Sequence, residues 1–122
     1  MELDMRLAVI SLVILLASCV GAKQDEVNVD DQISTYKSWV LSRCLTYTLK
    51  NEQDKQDALN TASAYLEISN LPVEMFISSE PLIQEFVGRT YQGSIPGTFN
   101  VKKCIDLFNS DELDDLYREL NQ

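Results

Sequence analysis

Three cysteines and not one histidine bound the chemistry this chain can do. Without histidine there is no Ser–His or Cys–His nucleophile pair, no histidine-liganded metal site and no ordinary acid–base residue for neutral pH. Cys44 and Cys104 are too far apart in sequence for a CxxC redox or zinc motif. Carboxylates come in adjacent pairs, Asp30-Asp31, Asp111-Glu112 and Asp114-Asp115. Neighbours on a helix point about 100° apart, so such pairs make solvated faces rather than catalytic dyads. No glycine-rich phosphate loop and no EF-hand loop is present. The reading is a binding protein and not an enzyme, with no cofactor and no metal.

Those cysteines also report on compartment. Met5-Arg6 precedes an apolar run, Leu7 to Ala17, and then the small residues Ser18, Cys19, Gly21 and Ala22. That pattern reads as a secretory signal over residues 1–22, because a spanning helix needs roughly 20 apolar residues. Glu2 and Asp4 fit a signal's start poorly, which makes Met5 an alternative first residue. Two cut sites stay open. Leu16-Ala17-Ser18-Cys19 resembles a bacterial lipobox, which would lipidate Cys19, whereas Val20 and Ala22 suit ordinary cleavage after Ala22. Either way the mature chain lies outside the cytoplasmic membrane.

Cutting after Ala22 removes Glu2, Asp4 and Arg6 and takes the net charge from −9 to −8. An acidic surface repels nucleic acid and anionic lipid, and suits a cationic protein partner or simply solubility. Cys44 and Cys104 then remain as an even pair in an oxidising space, which predicts a disulfide. Closing a loop of about 60 residues is worth about 4 kcal/mol in the chain-entropy view, a large share of a small domain's stability.

The elements that must position these residues are all helical. Residues 23–31 read as a flexible acidic leader, and residues 32–122 as the folded domain. Ile33, Tyr36, Val40, Cys44 and Tyr47 recur at helical spacing, with Trp39, Leu41 and Leu45 widening the stripe. This predicts a helix of some 17 residues, with Asp30 or Asp31 near its N-cap and its end near Lys50-Asn51; Trp39 is expected in the core. After a charged connection, Asn51 to Lys55, a second helix carries Ala58, Leu59, Ala62, Tyr65, Leu66 and Ser69, and Asn70-Leu71-Pro72 stops it. Val73 to Ile77 can form one turn. Pro81 opens a further helix whose buried face is Leu82, Ile83, Phe86, Val87 and Tyr91.

The only long breaker cluster follows, Gln92 to Thr98. Ile95 stands there between Gly93-Ser94 and Pro96-Gly97-Thr98. Two readings are open on composition: a binding loop with an apolar tip, or a plain connector whose Ile95 folds back on the core. Last comes Lys102 to Leu120. Ile105, Leu107 and Phe108 make a short apolar stripe, and Ser110 caps a final helix with Leu113, Leu116, Tyr117 and Leu120 on one face. Asp111 and Glu112 place negative charge at its positive end. The fold class is all-α: a compact single domain of five or six short helices stapled by one disulfide.

Three ordered motifs resemble one family. They are Tyr36-Lys37-Ser38-Trp39-Val40-Leu41-Ser42-Arg43-Cys44, then Ala62-Ser63-Ala64-Tyr65-Leu66-Glu67. The third is Lys103-Cys104-Ile105-Asp106-Leu107-Phe108 followed by Ser110-Asp111-Glu112-Leu113-Asp114. Together they are similar to the immunity proteins of the fourth type VI secretion amidase family, from about Tyr36 to Leu120. The likeness departs at Asn109, where the family pattern has histidine, and at Gln92 to Phe99, which is shorter than in several relatives.

The resemblance implies a periplasmic, disulfide-bearing, all-helical homodimer. Its implied partner is a papain-like cysteine amidase that cuts peptidoglycan stems. The implied mode is steric, with a protruding loop entering the enzyme's cleft. Gly93, Ser94, Ile95, Pro96, Gly97 and Thr98 are then the expected partner-binding loop. Val73, Glu74, Met75 and Phe76 are the expected second contact. A structural or envelope lipoprotein anchored through Cys19, and an inhibitor of a different cell-wall hydrolase, are the alternatives.

Overall fold

The computed structural model describes Gly21 and residues 29–122. The signal, the cut sites, Cys19 and most of the acidic leader lie outside the described residues. Six helices and no strand occur among the described residues: α1 Val29–Thr48, α2 Glu52–Ile68, α3 Val73–Ile77, α4 Glu80–Val87, α5 Asn100–Phe108 and α6 Asp111–Leu120. Helix α1 is the hub, packed against α2, α3, α4 and α5, and α6 closes over α5. It begins at Val29, inside the stretch read as leader.

The expected charged connection after α1 is mostly helix. Asn51 is the N-cap of α2, its side chain accepting from the amides of Gln53 at 2.9 Å and Asp54 at 3.2 Å. Glu52 and Asp54 therefore sit in a first turn, where the helix dipole favours them. The remaining link is so short that α2 folds back along α1, and the small buried residues Ala58 and Ala62 let the two helices approach closely.

Tyr36, wholly buried, is the centre of the core. Its ring lies 5.6 Å from that of Phe76 and 5.2 Å from that of Tyr117, and Trp39 meets Phe76 edge-on at 5.2 Å. These tilted contacts suit the ring quadrupoles and join α1, α3 and α6. Trp39 is thus a core residue, as its spacing predicts. Tyr47, expected on the buried face, is 40% exposed. Its hydroxyl donates to Glu80 at 2.8 Å, and Arg43 donates to the other oxygen of that carboxylate at 2.7 Å, pinning α4 to α1.

Pro81 lies in the first turn of α4. The Ser79 hydroxyl leaves that helix uncapped and donates back to the Phe76 carbonyl at 2.6 Å. Ser110 does cap α6, accepting from the Leu113 amide at 3.2 Å. Leu113 and Tyr117 are buried, while Leu116 and Leu120 are half-buried. In α5 the buried residues are Lys103, Cys104 and Leu107; Ile105, expected in the stripe, is 50% exposed.

Candidate functional site

Cys44 and Cys104 form the disulfide that their count predicts, joining α1 to α5 with Cα atoms 5.5 Å apart in the centre of the core. The bridge fixes α5, and α5 carries the outgoing end of the glycine-containing loop. Beside it the Asn100 side chain donates to the Thr48 carbonyl at the end of α1, at 3.4 Å.

The incoming end is fixed by polar and cation–π contacts. Helix α4 stops at Gly88. The buried Lys103 sends its ammonium to the Val87 carbonyl at 3.1 Å, a cation at a helix C-terminus. Arg89 lays its guanidinium 3.6 Å over the Phe86 ring and pairs with Glu85 at 3.1 Å. Tyr91, expected on the face of the preceding helix, lies beyond that helix and is held by a different force. Its hydroxyl donates to Asp106 Oδ2 at 2.7 Å, and Lys102 Nζ donates to the same oxygen at 2.7 Å. The Lys102 ammonium and the Tyr91 hydroxyl hold the Asp106 carboxyl below the usual carboxylate range. In return, the carboxylate raises the Tyr91 phenol and the Lys102 ammonium.

Between these anchors, residues 92–98 are all exposed, and Ile95 at the tip is 70% exposed. The connector reading, with Ile95 folded onto the core, is not what the structure has. Gly93, Ser94, Ile95, Pro96, Gly97 and Thr98 form one projecting loop. At its base Thr90, Tyr91, Gln92, Gly93, Phe99 and Lys102 line a cleft of about 370 Å³.

The expected second contact divides. Val73 and Glu74 are exposed on α3, but Met75 and Phe76 are 4% and 1% exposed in the core. A five-residue helix with one face against Tyr36 and Trp39 has to spend its two largest side chains inward, so these two are packing residues. Of the acidic residues in the last helix, Asp111, Glu112 and Asp115 are exposed as expected, and Asp114 is half-buried. Asp114 meets Lys37 at 2.8 Å, and Asp115 pairs with Arg118. Glu85, Glu112, Asp115 and Glu119 rim an open groove floored by Pro81, Leu82 and Leu116. Sequence reasoning missed the Tyr91–Asp106–Lys102 anchor. Lys102 and Asp106 lie one helical turn apart and were findable as an ion pair, whereas Tyr91 joins them only through the tertiary fold.

The geometry describes a rigid helical body that displays one small apolar-tipped loop, and comparison with known proteins places it. The chain matches no curated protein sequence. A family model described as Tai4, type VI secretion system amidase immunity protein, matches residues 34–117. The fold is similar to a solved structure of the effector–immunity system Tae4/Tai4 from Salmonella typhimurium. The TM-score is 0.67 at 39% identity, over 71% of this chain and 86% of that one. It is also similar to a chain of the Tae4–Tai4 effector–immunity complex from Enterobacter cloacae, with a TM-score of 0.65 at 33% identity, over 70% of this chain and 87% of that one. A complex of the Salmonella typhimurium effector Tae4 with the Enterobacter cloacae immunity protein Tai4 matches with a TM-score of 0.65 at 33% identity, over 70% and 88%. With most of its helical domain matched, the chain belongs to the Tai4 family of type VI secretion system amidase immunity proteins.

Proposed function

We propose that this chain binds a secreted amidase effector and blocks it sterically, with Gly93 to Thr98 entering the enzyme's active-site cleft and Ile95 as the apolar tip. The observation that carries the reading is the exposure of Ile95 on a loop whose two ends are both tied to the core. A loop anchored in this way loses little entropy on docking, so its apolar tip can contribute most of its burial to affinity. Val73 and Glu74 provide the second, smaller contact. The acidic surface favours encounter with a cationic enzyme.

The site of action on this reading is the periplasm, where the amidase would cut peptidoglycan. Among the described residues no helix is long and apolar enough to cross a membrane. The lipobox-like Leu16-Ala17-Ser18-Cys19 favours a second form of the same protein, anchored through Cys19 and still facing the periplasm. A homodimer is part of the proposal, and sedimentation equilibrium of the purified chain tests it: a monomer at micromolar concentration removes that part.

The test of the loop is Ile95→Asp. Loss of a central apolar anchor should weaken amidase inhibition by roughly 30-fold, the scale of an interface hot spot. The unfolding midpoint should change little, because Ile95 is mostly exposed in the free protein. Undiminished inhibition by the folded variant would place the contact elsewhere on the surface.

A further inference from the structure

The loop contains two glycines, yet neither has a positive φ; the left-handed position falls on Phe99, at φ 54° and ψ 36°. Among the described residues it is the one non-glycine residue in that region. A bulky side chain disfavours the left-handed backbone, because its Cβ crowds the following carbonyl oxygen. Phe99 also occupies the N-cap position of α5 and offers no side-chain hydrogen bond there, where Ser, Asn or Asp would satisfy an orphan amide. Two local preferences are therefore broken at one residue. Such positions mark places where the fold spends stability on something else.

What Phe99 gains is a contact with the other end of the loop. A Cβ placed on Gly93 would lie 3.0 Å from the tip of the Phe99 ring and 3.5 Å and 3.7 Å from its two neighbouring carbons. The ring tip is thus seated against the glycine backbone, and a methyl at position 93 would require it to shift by a few tenths of an ångström. Gly93 serves close approach rather than a turn. The Phe99 carbonyl meanwhile accepts from the Lys103 amide at 3.0 Å, so the residue belongs to the first turn of α5. Residues 94–98 then stand between two ends in contact, with the neck supported by α5 and, through Cys104, by the core.

We infer that Phe99 is the positioning residue of the proposed inhibitory loop: its left-handed backbone turns the ring onto Gly93, and that contact closes the neck and keeps Ile95 projecting. The inference rests on the reading of the loop as the inhibitory element. In the free protein the closed neck holds residues 94–98 in one arrangement, so docking does not have to order them.

The decisive variant is Phe99→Asn. Asparagine tolerates the left-handed region and can cap α5, so the unfolding midpoint should stay level or rise. Loss of the ring should nevertheless mobilise residues 94–98, lowering their backbone order parameters from about 0.85 towards 0.6 in ¹⁵N relaxation of the free protein. Inhibition of the cognate amidase should weaken about tenfold. Gly93→Ala should weaken inhibition by a smaller factor with Phe99 in place, and have little effect on the Phe99→Asn background, because the added methyl then meets no ring. That non-additivity separates the neck from a direct contact of Gly93 with the enzyme, whose loss would be additive.

Unchanged order parameters and unchanged inhibition in Phe99→Asn, with Ile95→Asp still impaired, would overturn the positioning role and leave the loop reading intact. Full inhibition by both Phe99→Asn and Ile95→Asp would overturn the loop reading, and the role of Phe99 with it.

Discussion

Residues 93–98 and residues 102–120 follow one another in sequence, yet the first group buries almost no side chain while the second closes the core. The clasp is held redundantly. Cys104, Leu107 and Leu113 are fully buried, the disulfide ties it to α1, Ser110 caps α6, and Asp114 reaches Lys37. The loop is held only at its ends, by Tyr91 on Asp106, Asn100 on Thr48 and the Phe99 ring on Gly93. On the proposed reading, stability and the main contact with the amidase fall in adjacent but separable stretches.

The separation is broken most severely by removing the bridge. Cys44→Ala with Cys104→Ala releases a loop of about 60 residues in the unfolded chain and should lower stability by about 4 kcal/mol, read from urea unfolding. Provided the variant is studied where it is still folded, its affinity for the amidase should drop far less than that of Ile95→Asp, which costs binding and no stability. A bridge-free variant with native stability would refute the clasp. One that is folded but binds as poorly as Ile95→Asp would show that the two stretches are not separable.

The difference between the stretches also explains what could be read before folding. The clasp is periodic and locally signalled. Leu113 and Tyr117 recur at helical spacing, Ser110 is a capping residue before two acids, and two cysteines beyond the apolar N-terminal run, in a chain read as exported, imply a bridge. Each of these survives translation into structure because the cause lies within a few residues or in simple arithmetic. Ile105 misled because α5 is short. Burying Cys104 and Leu107 fixes its inner face, and a residue between them must point away. Met75 and Phe76 misled for the opposite reason, since a single turn carries no periodicity long enough to say which side faces in. The loop announced itself by glycine and proline, but its construction did not. Tyr91 finds Asp106 only after α4 and α5 pack together. A left-handed phenylalanine has no local signature, because local preference argues against it.

The smallest test concerns the ion-paired anchor at the loop's incoming end, and pH discriminates it from the buried clasp. The folded-state pKa of Asp106 is depressed by Lys102 and Tyr91, so its stabilisation is present above the unfolded value, about 4, and is lost as pH falls through the lower folded value. The Tyr91 phenol is raised, so its part is present below about 10 and lost as pH climbs through the higher folded value. Between those limits the anchor is intact. The groups lie near the surface and are screened by solvent, so the contribution is small. Asp106→Asn should therefore be slightly less stable than the parent at pH 7, and the gap should narrow at pH 3, as followed by urea unfolding at the two pH values. An equal gap at both would mean that Asp106 acts through packing rather than charge. Ile95 should remain indifferent to pH in the same experiment, because its side chain is apolar and mostly exposed, and that contrast assigns the acid sensitivity to the anchor rather than to the loop it carries.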